Sequence, residues 1–171
     1  GSDPGFRRAL DAHGEVFVGD VHKDQRIYLE DPQPVVPPAP TAHGRPPTRL
    51  QAQAAAVRVD LWTQQQPATA WQPVTLREGT KGPLRVEILH QRVWLWDGVE
   101  AQARPWHLIV RREIDPTEIN YSLSNAPADT PAPRLAFMQG QRYWIERALQ
   151  QGKQDVGLGD YQVRGWRGWH H

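Results

Sequence analysis

The chain has 171 residues, enough for one domain or one domain carrying an insertion, and its net charge of +1 means that no global field announces a nucleic-acid partner. It contains no Cys, which excludes a disulfide framework and Cys-based zinc sites. No apolar run approaches the roughly 18 residues of a membrane span and nothing resembles a signal peptide, so the expectation is a soluble, cytoplasmic protein without a membrane partner.

The opening segment PGFRRALDAHG reads as a short helix, with Asp3 as N-cap, Pro4 at the first helical position and Gly14 as the stop. Residues 15–21, EVFVGDV, read as a strand whose nearly continuous apolar run suggests cover on both faces. Asp20, at the end of that strand, and Asp24 are formal candidates for active-site carboxylates, although turn chemistry accounts for both. Residues 31–47 break the pattern: seven of the seventeen are Pro, which excludes helix and central strand and predicts an extended loop.

A β pattern follows. Residues 56–62 alternate Val57, Val59 and Leu61 with Arg58 and Asp60, the period of a half-exposed strand. Residues 73–89 hold two β-type runs around a turn at 78–83, RVWLWDG reads as a further strand, and 105–114 and 118–124 as two more, before a loop at 125–133. Trp62, Trp71, Trp94, Trp96 and Trp106 fall in this region and serve either as core or as a platform on which a base could stack.

From residue 134 to about 151 the chain is rich in good helix formers, and Gly152 stands where a helix would end. At about 100° per residue, Met138, Ile145, Ala148 and Leu149 share one apolar sector. Arg142, Glu146 and, if the helix continues past Gly152, Lys153 form a polar row along its border. Taken alone, that spacing also fits an ordinary solvated Arg142–Glu146 pair worth about 0.3 kcal/mol. From residue 134 onward six Arg or Lys stand against three Asp or Glu, with Tyr143, Trp144, Tyr161, Trp166 and Trp169 interleaved. This composition suits either phosphate contact with base stacking or the aromatic core of a terminal helix.

Arg142, Glu146 and Lys153 spell R-x3-E-x6-K, followed by VGLGDYQVRGWRGWHH. This segment resembles the C-terminal catalytic segment of bacterial insertion-sequence transposases of the DDE class, whose signature is Y-x2-R-x3-E-x6-K; the Tyr position falls on Gln139. In the same transposases a helix and buried strand follow the second catalytic Asp, which lies in a D-x-x-Y-G motif, and the resemblance implies that Gly1 would be the Gly of that motif. A β insertion, similar here around LREGTKGPL with Lys81 on its turn, then precedes the helix bearing the catalytic Glu. The resemblance implies an α/β fold: a partial RNase H-like core of helix, buried strand and C-terminal catalytic helix, interrupted by a β-rich insertion. Core segments would be 1–21 and 116–171, with 22–115 the insertion containing the loop 31–47.

It further implies a DNA strand transferase and endonuclease in which Glu146 is the third metal-holding carboxylate. Arg142 and Lys153 would contact DNA phosphates at the transposon ends. Two Mg2+ or Mn2+ ions would stabilise the attacking and leaving oxygens of an in-line displacement, and both catalytic Asp residues would lie upstream, leaving this chain inactive alone. Double-stranded DNA, as transposon end and target, is the expected partner, with self-association on DNA in the bacterial nucleoid. The alternative is a catalytically silent DNA-binding or interaction module derived from such an enzyme. Other chemistries lack support: His13, His22, His43, His90 and His107 show no metal-ligand spacing, and there is neither a G-x-S-x-G nor a phosphate-binding Gly loop.

Overall fold

The computed structural model describes residues 3–39, 46–77, 84–113 and 118–141. Helix α1 spans Pro4–Ala12. The Asp3 carboxylate accepts from the Phe6 N–H at 3.2 Å, Pro4 needs no amide partner, and His13 is the C-cap. Gly14 then adopts φ +73°, and the N–H groups of Gly14 and Glu15 close back onto the carbonyls of Asp11 and Leu10, both at 3.0 Å. This double closure satisfies the last carbonyls and requires the left-handed residue that Gly supplies. Replacing Asp3 by Ala should cost about 1 kcal/mol, read as a lower urea midpoint at unchanged slope.

Strand β1, Val18–Val21, is shorter than the predicted 15–21 and lies at the edge of the sheet, with Val18 packed toward Ile109 and Leu135 on one face and Val21 toward the Trp106 cluster on the other. Val16, ahead of it, is about half exposed. Asn125 fastens this corner: its Oδ1 accepts from Phe17 N–H at 2.9 Å, and its Nδ2 donates to Asp11 Oδ1 at 2.8 Å and the Glu15 carbonyl at 2.9 Å.

A two-residue ladder joins β2, Arg26–Ile27, to β3, Val57–Arg58. The predicted strand 56–62 ends there, because Val59–Gln64 forms helix α2. The Val59 and Asp60 N–H groups bond the carbonyls of Gln25 and Lys23, and Arg58 grips Asp60 at 2.6 and 3.1 Å, so the backbone turns away from the ladder. Val59, Trp62 and Thr63 are then buried at helical spacing while Leu61 faces outward, about half exposed. The described part of the Pro-rich segment carries neither helix nor strand, only an isolated bridge between Val35 and Gln51.

Strands β4, Gln72–Arg77, β5, Leu84–Leu95, β6, Arg104–Glu113, and β7, Ile119–Ser124, form an antiparallel meander. RVWLWDG is not a separate strand; it continues β5, because His90 and Gln91 pair with Ile109 and Leu108 without interruption. Strand β1 adds to β7, giving one five-stranded sheet of order β1-β7-β6-β5-β4. Among the described residues the result is a mixed α/β protein, mostly antiparallel sheet with few helices.

Alternation along the strands divides the core between two faces. One face buries Leu89, Val93, Trp106, Leu108, Val110 and Leu123 against Ile27, Val59, Trp62 and Trp71. On the other lies a third helix, α3, over residues 132–141. Its Ala136 packs on Leu76, Val86 and Ile88, and its Leu135 joins Ile109 and Ala126. Among the described residues no helix is long and apolar enough to cross a membrane.

Candidate functional site

Helix α3 leads into the segment carrying Arg142, Glu146 and Lys153, and all three, with Lys81 and Tyr143, lie outside the described residues. The structure does show how that helix is set onto the sheet. Asp20 and Ser122 are cross-strand partners of β1 and β7, and both point to the α3 face. The Ser122 hydroxyl lies 2.6 Å from Asp20 Oδ1, and Gln139 Nε2 lies 2.7 Å from the same hydroxyl. An ionised carboxylate only accepts, so Ser122 gives its single proton to Asp20 and its oxygen accepts from the Gln139 amide. This fixes the amide orientation, with Nε2 toward the serine.

Ser122 is completely buried and Gln139 is 3 % exposed, while Asp20 is exposed. Gln139 Oε1 is buried and finds no hydrogen-bond partner. Sequence reading singled out neither Ser122 nor Gln139 for a role on the sheet. The available signal was the wrong polarity at core positions: Ser122 and Ser124 alternate with Leu123 in β7, and Gln139 follows Met138 on a helix that must bury one side.

On the same face the scattered histidines His90 and His107 come together, their rings stacked at 5.0 Å and 27°. His107 Nε2 lies 3.1 and 3.0 Å from the carbonyls of Ala126 and Pro127, which only accept, so it carries the proton. Its Nδ1 must then accept from His90 Nε2–H at 2.7 Å, and both rings are neutral. Burial, with the repulsion from Arg92 and from His107 whenever it is protonated, pushes His90 down to about 4. Burial also lowers His107, opposed by its carbonyl bonds.

Because both folded values lie below the unfolded one, this pair contributes its full stability above about pH 6.5, where both states are neutral. As pH falls toward 4 the unfolded chain takes up protons that the folded chain refuses. The expected loss for His90 is about 1–2 kcal/mol after allowance for its partial solvent contact. Urea midpoints measured between pH 7.5 and 4.5 should show it. His90→Gln, whose amide can still donate to His107 but takes no proton, should flatten that slope.

The tryptophans divide clearly. Trp62, Trp71 and Trp106 are core; Trp106 meets Phe17 edge-on at 5.1 Å, and the Arg112 guanidinium sits 3.9 Å over Trp71. Trp94 and Trp96 are half-buried, and Trp96 Nε1 donates to the Glu100 carbonyl at 2.7 Å. Trp96 and Trp106 line a cavity of about 270 Å³ beneath α1, together with Arg7, Arg8, Arg104 and Glu100. Its charges are largely matched: Arg8 pairs with Asp97, and Arg104 with Asp11 and, at 2.8 Å, Glu100. The Arg104 bonds hold the Glu100 carboxyl below its usual range. These pairs tie α1 to the β5–β6 hairpin. Asp24 is exposed and bonded to His22 at 2.7 Å, which lowers its carboxyl.

Among the described residues no three His, Asp or Glu side chains come together as a metal-holding group. No curated protein and no solved structure matches the chain. A family model described as DDE superfamily endonuclease matches residues 1–83, a stretch that includes α1 through β4 and does not include Arg142, Glu146 or Lys153. Over residues 1–83, just under half of its length, the chain is therefore similar to DDE superfamily endonucleases, a DDE-type, transposase-like family.

Proposed function

We propose that this chain is the C-terminal part of a DDE transposase, a DNA strand transferase and endonuclease whose third active-site carboxylate is Glu146. The observation that carries the reading is the DDE endonuclease match over 1–83, followed in chain order by a separate segment with Arg142, Glu146 and Lys153 at the spacing of the insertion-sequence transposases that this segment resembles. DDE superfamily endonucleases imply DNA as substrate. In this reading 1–21 and 116–171 are core segments and 22–115 an insertion. Support comes from β1 pairing directly with β7 across more than a hundred residues, as two halves of one core should.

Among the described residues no side chains come together as a metal-holding group, and Glu146 would be this chain's own ligand to Mg2+ or Mn2+, which would stabilise charge at the reacting phosphate. The roles proposed for this chain's own residues are local. Glu146 supplies one carboxylate at the reacting phosphate. Arg142 and Lys153 hold neighbouring phosphates, which gives position and affinity rather than base reading. The test is nicking of a cognate transposon end by the full-length protein in Mg2+ or Mn2+, wild type beside Glu146→Gln, with end binding measured in parallel. Loss of nicking with retained binding supports the reading. Equal nicking by both makes Glu146 a surface charge, and binding without nicking by either points to a silent DNA-binding module.

A further inference from the structure

We infer that Gln139 is a positioning residue: through the Ser122 hydroxyl it is tied to the Asp20 carboxylate, and this chain of hydrogen bonds sets the rotation and axial register of α3, the helix that precedes Glu146 in the chain. The inference rests on the functional reading above for Glu146, but the contacts themselves are in the described structure. Of the four buried α3 residues, Ala136 and Gly140 are small and stand beside Leu135 and Gln139. Ala136 packs on Leu76, Val86 and Ile88, and Gly140 lies so close to Leu76 that an added Cβ would stand 3.2 Å from Leu76 Cδ1. Small residues allow close approach but make shallow knobs, so apart from Leu135, which packs on Ile109 and Ala126, apolar packing adds little to fix sliding and rotation.

Directional bonds supply what such packing lacks. Gln139 Nε2 to Ser122 Oγ at 2.7 Å and Ser122 Oγ to Asp20 Oδ1 at 2.6 Å are both short, and the serine and amide are shielded from water. Gln139 keeps this bond although its Oε1 is left buried without a partner, a position where Leu would fill similar space at no polar cost. On the helical period predicted for residues 134–151, Glu146 follows Gln139 by seven residues. It would share the same face about 10 Å further along the axis. A rotation of α3 at Gln139 would therefore carry over directly to the carboxylate.

The experiment uses the full-length protein with Gln139→Leu, Asp20→Ala and Asp20→Asn, the last keeping an acceptor oxygen for Ser122, and Glu146→Gln as reference. Three quantities are read: single-turnover nicking at saturating end DNA, end affinity, and hydrogen exchange of the backbone amides at 136–141. The expected result for Gln139→Leu and Asp20→Ala is about a tenfold slower nicking step, end affinity within twofold of wild type, and faster exchange confined to α3. Asp20→Asn should retain at least about half the wild-type rate. Nicking at the wild-type rate in Gln139→Leu overturns the inference. So does a loss matched by uniform loss of protection across the whole sheet, which is the signature of general destabilisation. If Glu146→Gln nicks like wild type, the functional reading fails on its own, and the exchange at 136–141 still decides whether Gln139 anchors the helix.

Discussion

Glu146→Gln in the full-length protein should slow end nicking by about a thousandfold or more while leaving transposon-end affinity within about threefold of wild type. The substitution is chosen for what it leaves alone. Gln has nearly the size and helix preference of Glu, so the fold should be indifferent, and only the negative charge is removed. Arg142→Ala and Lys153→Ala should behave in the opposite sense. Each should weaken end binding by about 1 kcal/mol and reduce the salt dependence of binding by about one phosphate equivalent, with similar effects on all DNA sequences. Filter binding at several salt concentrations, beside the nicking assay, separates a residue that holds the reacting phosphate from one that positions the backbone.

Trp106→Ala is expected to be the most damaging single change to the described fold, at about 3–5 kcal/mol. Trp106 is 4 % exposed, packs edge-on against Phe17, and contributes to the cluster that holds α2 and β2 to the sheet. It also forms one wall of the cavity beneath α1, so truncation would enlarge an existing void instead of opening a space that neighbours could fill. Since native stabilities run to about 5–15 kcal/mol, the variant should be substantially unfolded on mild heating. Urea unfolding should show a large fall in midpoint, whereas Trp96→Ala, at a half-buried position, should cost clearly less.

What was legible in the sequence was what local chemistry decides. Asp3, Pro4 and Gly14 specify the bounds of α1 within a dozen residues, and both ends match the caps observed. The two runs around residues 78–83 do pair as a hairpin, with Arg77 opposite Leu84. Residues 56–62 misled because five residues of alternation fit two periods: Val57, Val59 and Leu61 suit a strand, while Val59, Trp62 and Thr63 suit a helix. The backbone bonds from Val59 and Asp60 to the chain near Gln25 decide for the helix, and a local pattern cannot show them. The break expected before RVWLWDG failed for a similar reason, since His90 and Gln91 carry no turn chemistry and simply continue the ladder. The candidate site was legible only as a motif with a resemblance. Its setting, Asp20 with Ser122 and Gln139, depends on strand register across 102 residues, which no spacing rule reaches.

That separation bears on the order in which the molecule assembles. The ladders of the meander join neighbouring segments, so β4 to β7 can zip as successive hairpins with little loop entropy to overcome. The β1–β7 ladder and the Phe17 to Asn125 bond, which spans 108 residues, reward the chain only after the whole meander and the Pro-rich segment have been gathered in. Closure of β1 onto β7 is therefore the expected late event in folding. Because Asp20 arrives on that same strand, the polar anchor of α3 would be completed last, after the sheet that supports it has already formed.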